Sequence, residues 1–89
     1  MRVILSPRTE RQLRKLQKVS QIIIAKKIRV IRDSYSIPKE ELLRGYKNIF
    51  RVRVGDFRIV YRKTKSEIYI IALGHRKDIY QKLKKLLGK

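Results

Sequence analysis

In the stretch FRVRVGDFRIVYR, residues 50–62, apolar and basic side chains alternate at a period of two on either side of a Gly-Asp step. That period predicts a half-buried β-hairpin. The same reading, carried along the chain, predicts the other elements. Val3–Leu5 is a brief β-type run stopped by Ser6-Pro7, which suits an N-cap followed by the first helical position. From Pro7 to about Lys18 the apolar residues are mainly Leu13 and Leu16, a narrow stripe on a basic helix. Ser20 is a candidate cap for a second helix, in which Ile24, Ile28, Ile31 and Tyr35 form the buried stripe and Ile23 and Val30 widen it. Pro38 and Gly45 break the period, so the next segment reads as a loop with room for one helical turn after Pro38; Glu40 and Glu41 receive no role there. Three antiparallel strands follow, at about Ile49–Val54, Phe57–Lys63 and Glu67–Leu73. The chain then closes with a helix capped by Asp78, carrying Ile79, Leu83 and Leu86 on one face and stopping at Gly88. The expected architecture is α+β: a short N-terminal strand, two helices on one face of a small antiparallel sheet, and a short C-terminal helix.

The hairpin can be read more closely. A two-residue Gly55-Asp56 turn of type II′ sets Val54 opposite Phe57, Arg53 opposite Arg58, Val52 opposite Ile59 and Phe50 opposite Tyr61. Phe50, Val52, Val54, Phe57, Ile59 and Tyr61 then share the buried face, and Arg51, Arg53, Arg58 and Arg62 share the other. Like charges directly opposite are destabilising, by an amount comparable with the roughly 0.2–1 kcal/mol of favourable cross-strand pairs. An anion between Arg53 and Arg58 would relieve that repulsion. Arginine at all four positions suits phosphate, which its planar fork can grip at two points. A short even-register connection to the last strand would also bring Val60, Tyr69, Ile71 and Leu73 to the arginine side, where either the last helix or another chain must cover them.

Composition sharpens the partner class. At 89 residues the chain reads as one domain, residues 1–89, and its 25 Lys and Arg against 7 Asp and Glu give a formal charge of +18. Such a field attracts polyanions, nucleic acid first. There is no cysteine and the single histidine is His75, so a metal centre and a cofactor are not expected. No apolar run approaches the ~20 residues needed to span a bilayer, and the N-terminus lacks a signal-peptide core, so the expectation is a soluble, cytoplasmic protein without a membrane partner.

The ordered segments LRGYKNIFRVRVGDFRIVY and IYIIALGHRKDIY resemble the RelE/ParE superfamily of toxins from toxin–antitoxin systems, on its RelE branch; the resemblance spans residues 43–80. It implies a ribosome-dependent endoribonuclease that cuts mRNA in the A site, inhibits translation and is held inactive by a RelB-like antitoxin. Position by position, Arg51 and Arg53 fall beside the scissile phosphate and Arg58 on the group that stabilises the transition state. Arg76 meets the leaving 5′-oxygen, and Tyr80 stacks on or orients a base. The implied reaction is attack of a ribose 2′-OH on its own phosphodiester, without a metal. Lys47, Arg62, His75, Lys82 and Lys84 are candidate RNA contacts, with Lys85 and Lys89 as diffuse contacts to ribosomal RNA.

One departure matters. The best-known RelE pattern has lysine where this chain has Arg51 and Arg53, and arginine stays protonated and is a poor base. His75 and Lys47 are then the nearest proton acceptors in sequence, with a turn-orienting role for His75 and a phosphate contact for Lys47 as the alternatives. Two other functions remain open: a ParE-like gyrase inhibitor without nuclease activity, and a catalytically weak RNA-binding toxin. The arginine set with Tyr80 separates the first from a RelE-type nuclease.

Overall fold

The structure, a computed structural model, describes residues 1–34, 37, 39–76 and 78–88. Eight elements follow one another: β1 (Arg2–Leu5), α1 (Pro7–Arg14), α2 (Lys18–Asp33), β2 (Glu41–Leu42), β3 (Ile49–Val54), β4 (Phe57–Lys63), β5 (Glu67–His75) and α3 (Ile79–Leu87). The strands form one sheet in the order β1-β5-β4-β3-β2. The antiparallel meander is as the alternation predicts. What the pattern does not contain is the outer pairing: β1 adds parallel to β5, and Glu41–Leu42, within the segment read as a loop, adds antiparallel to β3. Pro38 and Tyr35, on which a helical turn and part of the α2 stripe were placed, and Lys89 lie outside the described residues.

Helices α1 and α2 cover one face of the sheet. Ile24, Ile31, Val52, Ile59, Tyr61, Ile68, Ile70 and Leu73 form its closed core. Each fully buried Ile or Leu there contributes roughly 1.5–3 kcal/mol. Ile28 lies at the edge of this core, whereas Ile23 and Val30 are on the solvent side of α2, about half and two-fifths exposed, so the buried stripe is narrower than the sequence suggests. The α2 start also differs. Gln17, not Ser20, is the cap position and makes no side-chain bond there. Gln21 instead turns back and donates through Nε2 to the carbonyls of Arg14 and Leu16, satisfying the free end of α1.

At the α1 start, Ser6 caps as expected, its Oγ accepting from Thr9 N at 3.0 Å. The same residues also serve the sheet. Between Val60↔Ala72 and Tyr61↔Ile70 the β4–β5 register slips by one residue, a β-bulge at Ile71. β1 pairs with β5 only as far as Ile70, so the following β5 groups have no strand beside them. Ser6 Oγ donates to Ile71 O at 2.9 Å, Thr9 Oγ1 to Ile70 O at 3.1 Å, and Leu73 N donates to Gln12 Oε1 at 3.0 Å. Side chains of α1 thus stand in for the missing ladder.

The bulge corrects one expectation. Ile71 and Ala72 both fall on the arginine side, and Leu73, expected there, returns to the helical core. On the arginine side α3 is the cover: its Ile79 and Leu83 pack over Ile49, Val60, Ile71 and Ala72, with Tyr69 and Tyr80 at the margin. Leu86 is more than a third exposed and does not join them. α3 ends at Gly88, whose φ of +72° is the left-handed conformation glycine favours.

Candidate functional site

The hairpin register is the one the alternation requires, with Arg53 opposite Arg58, Arg51 opposite Val60 and Arg58 opposite Gly74 of β5. Gly55 has φ +59° while Asp56 is not among the residues of positive φ, as a type II′ turn demands. Arg53 and Arg58 therefore stand side by side next to the turn. Because Gly74 lacks a side chain, the Ile79 side chain closes to within 3.3 Å of where a Cβ would lie, and α3 starts beside the arginines.

Arg58 is the anomaly of this face. It is 6 % exposed, and its Nη1 reaches only backbone carbonyls, Gly55 O at 3.3 Å and Phe57 O at 3.0 Å. Its Nε is buried and has no hydrogen-bond partner. Desolvation first, then the charges of Arg53, Arg51 and Arg76, push its pKa below the usual guanidinium value, with Asp56 opposing weakly. The group is shielded from direct water contact yet close to the surface, surrounded by its own sign of charge. A bound phosphate would supply both the missing acceptor and the missing charge.

Arg51 and Tyr80 meet directly. The Arg51 Cζ lies 5.3 Å from the centre of the Tyr80 ring, a cation–π contact between β3 and α3. On its other side Arg51 donates to Glu41 Oε2, at 2.7 Å from Nη2 and 3.3 Å from Nε. Glu41 reaches this position because β2 pairs it opposite Arg51, which puts both side chains on one face. The hydrogen bond from Arg51 and its charge, with smaller contributions from Arg53 and Arg58, hold the Glu41 carboxyl below the usual carboxylate range. Sequence reading missed Glu41, since a two-residue strand is too short for periodicity to register.

The remaining predicted residues are spread more widely. Arg76 is exposed after β5, its backbone N bonded to Asp56 O at 3.0 Å, and its charge acts on Arg58. His75 pairs with Phe57 and packs its ring edge-on at 5.4 Å, so it lies on the helical side of the sheet and is not brought to the arginines. Lys47 and Arg62 are exposed at the end of the sheet remote from the Gly55 turn, Arg62 opposite Ile49 and Tyr69. They are not brought to Arg58. Lys82 and Lys84 project from the exposed side of α3. Neither expected proton acceptor, His75 nor Lys47, is therefore brought to Arg58; a carboxylate on this face, Glu41, is bonded to the neighbouring Arg51. No group of three or more His, Asp or Glu side chains that could hold a metal ion occurs among the described residues, nor a helix long and apolar enough to cross a membrane.

Comparison with known proteins identifies the fold. The fold is shared with a chain of the RelB–RelE antitoxin–toxin complex from Methanococcus jannaschii, at TM-score 0.73, 23% identity and coverage of 86% of this chain and 94% of the other. It is shared equally with the isolated E. coli RelE toxin, at TM-score 0.72 and 22% identity over 97% of both chains. YafQ from E. coli strain BL21(DE3) superposes at TM-score 0.72 with 16% identity, over 90% of this chain and 99% of that one. No curated protein matches in sequence. The family model described as the ParE toxin of type II toxin-antitoxin system, parDE, matches residues 3–80, from β1 to the first turn of α3. With that span matched, the chain belongs to the RelE/ParE superfamily and is a toxin of a type II toxin–antitoxin system.

Proposed function

We propose that this toxin is an endoribonuclease that cuts mRNA on the ribosome. The observation that carries the reading is Arg58: a shielded guanidinium with an unpartnered Nε, flanked by Arg51, Arg53 and Arg76, is a site that lacks only an anion. A phosphodiester seated there would have its non-bridging oxygens between Arg58 and Arg53, and Tyr80 beside an adjacent base. The ribose 2′-OH gives its proton to Glu41 and its oxygen attacks phosphorus. The P–O5′ bond breaks, leaving a 2′,3′-cyclic phosphate and a 5′-hydroxyl. Charge on the departing oxygen is met by Arg76, and water supplies its proton. Glu41 is a weak base because Arg51 holds it ionised, so most of the catalysis falls to positioning and to positive charge preset for the phosphorane. Nothing in this set bends the RNA for in-line attack, and that is the role we assign to the ribosome. A RelB-like antitoxin is the partner we assign, by analogy with the RelB–RelE complexes that share the fold.

A second reading is favoured by the matched family model, whose description is of a ParE toxin: a protein-binding inhibitor of DNA gyrase without nuclease activity. Such a protein has no need of Glu41 paired with Arg51 beside a shielded Arg58. The two separate in one pair of assays. Purified toxin is expected to cut mRNA in the A site of programmed ribosomes, leave the same RNA nearly intact without them, and leave gyrase supercoiling unaffected. Glu41→Gln should lower cutting by roughly 10²–10⁴-fold, the range of a lost general base. Efficient cutting of free RNA would refute ribosome dependence, and gyrase inhibition without any cutting would establish the second reading.

A further inference from the structure

Glu40, next to Glu41, points the other way. Its carboxylate accepts from Tyr61 OH at 2.5 Å and from Lys63 Nζ at 3.0 and 3.2 Å, on the helical side of the sheet. Tyr61 is fully buried and stacked with Phe50, and Lys63 lies 4.9 Å above the Phe50 ring. The clamp is thus anchored on β4 and braced by β3, the strand that carries Arg51. The chain enters it through Lys39 at φ +60°, a left-handed conformation that costs a residue with a side chain roughly 1–2 kcal/mol. Beyond it, β2 has only two residues, both exposed, to hold Glu41 in place. A two-residue edge strand is weakly determined by its own ladder; the chain is fixed before Glu41 by the Glu40 side chain and after it by the Leu43 N bond to Ile49 O at 2.8 Å.

We infer that Glu40, with Tyr61 and Lys63, is a positioning device that sets the Glu41 carboxylate against Arg51 and the arginine cluster. This rests on the proposed role of Glu41 in cleavage. Neighbouring residues of an extended chain face opposite sides, so gripping Glu40 on the helical face orients Glu41 on the other. The groups facing Glu41 are Arg51 and Arg53 of β3 and Arg58 of β4; those facing Glu40 are Tyr61 and Lys63 of β4. The two acidic residues therefore divide the work, one fastening the chain and the other meeting the substrate.

The test reads the position of Glu41 both with and without catalysis. In the wild-type protein the Glu41 side-chain carboxyl, followed by NMR, should titrate below an ordinary glutamate. In Glu40→Ala its midpoint should move up toward the ordinary value, while kcat on ribosomes falls about tenfold, KM is unchanged and the acid limb of the pH–rate profile moves up. Tyr61→Phe and Lys63→Met, each removing one arm of the clamp, should give smaller shifts in the same direction, and they carry the test if Glu40→Ala fails to fold. Adding Glu40→Ala to Glu41→Gln should cost no further rate, because both act through one carboxylate. The inference is overturned if these variants lower the melting temperature alone, leaving the Glu41 midpoint and kcat in place. If the midpoint moves and neither wild type nor variant cuts RNA, the positioning stands and the nuclease reading fails.

Discussion

The two faces of the sheet are built to opposite standards. On the helical face the apolar side chains are closed from water, and even the bulge at Ile71 has its backbone groups satisfied by Ser6, Thr9 and Gln12. On the other face α3 covers a smaller apolar cluster. Beside it Arg53 and Arg58 are set opposite each other, and Arg58 Nε is left without an acceptor. The first face concentrates the stabilising interactions that let the second tolerate its repulsion. An unsatisfied group in a native structure points to a ligand more strongly than a satisfied one, and here the unsatisfied group is a guanidinium among other arginines.

That contrast is broken most severely at Arg58. Arg58→Met should reduce cleavage by on the order of 10²–10³, as for loss of a preset charge-stabilising donor. The same change removes a shielded, repelled charge. The thermal midpoint should therefore hold or rise by a few degrees, corresponding to about 1 kcal/mol. A protein that loses stability as well as activity would show Arg58 to be structural. On the opposite face the effects should exchange places. Ser6→Ala removes the cap of α1 and the donor to Ile71 O, for a loss of about 2 kcal/mol and a fall of several degrees in midpoint. Its cleavage rate, measured well below that midpoint, should be close to wild type.

Tyr80 lies where the two standards meet, half in the α3 cluster and half over Arg51. Tyr80→Phe keeps the ring over the guanidinium and should be nearly silent, whereas Tyr80→Ala should lower cleavage on the order of tenfold, within the roughly 1–3 kcal/mol of a base–aromatic stack. Equal defects in the two variants would transfer the role to the hydroxyl. The smallest effect is on stability against pH. The Glu41 carboxyl is lowered in the folded protein by Arg51, so its contribution is present above the unfolded glutamate value and is lost as pH falls through the lowered folded value. Glu41→Gln should erase that dependence in acid unfolding curves and leave neutral stability little changed, since the pair is exposed to solvent.

Much of this molecule is written in short-range pattern. The period of two in residues 50–62 contains the hairpin register and the separation of Phe50, Val52, Ile59 and Tyr61 from Arg51, Arg53 and Arg58, because alternation and a two-residue turn leave no other pairing that buries the apolar set. Ser6-Pro7 marks the start of α1 for an equally local reason. Tertiary structure decided what depends on partners distant in sequence. Leu73 changed face because a bulge shifts every later side chain, and that bulge is held by α1, more than sixty residues away. His75 left the arginines when pairing placed it against Phe57. Glu40 and Glu41, indistinguishable in a basic loop, were assigned to opposite faces only when β2 met β3, since a strand of two residues has no period of its own and takes its orientation from its neighbour.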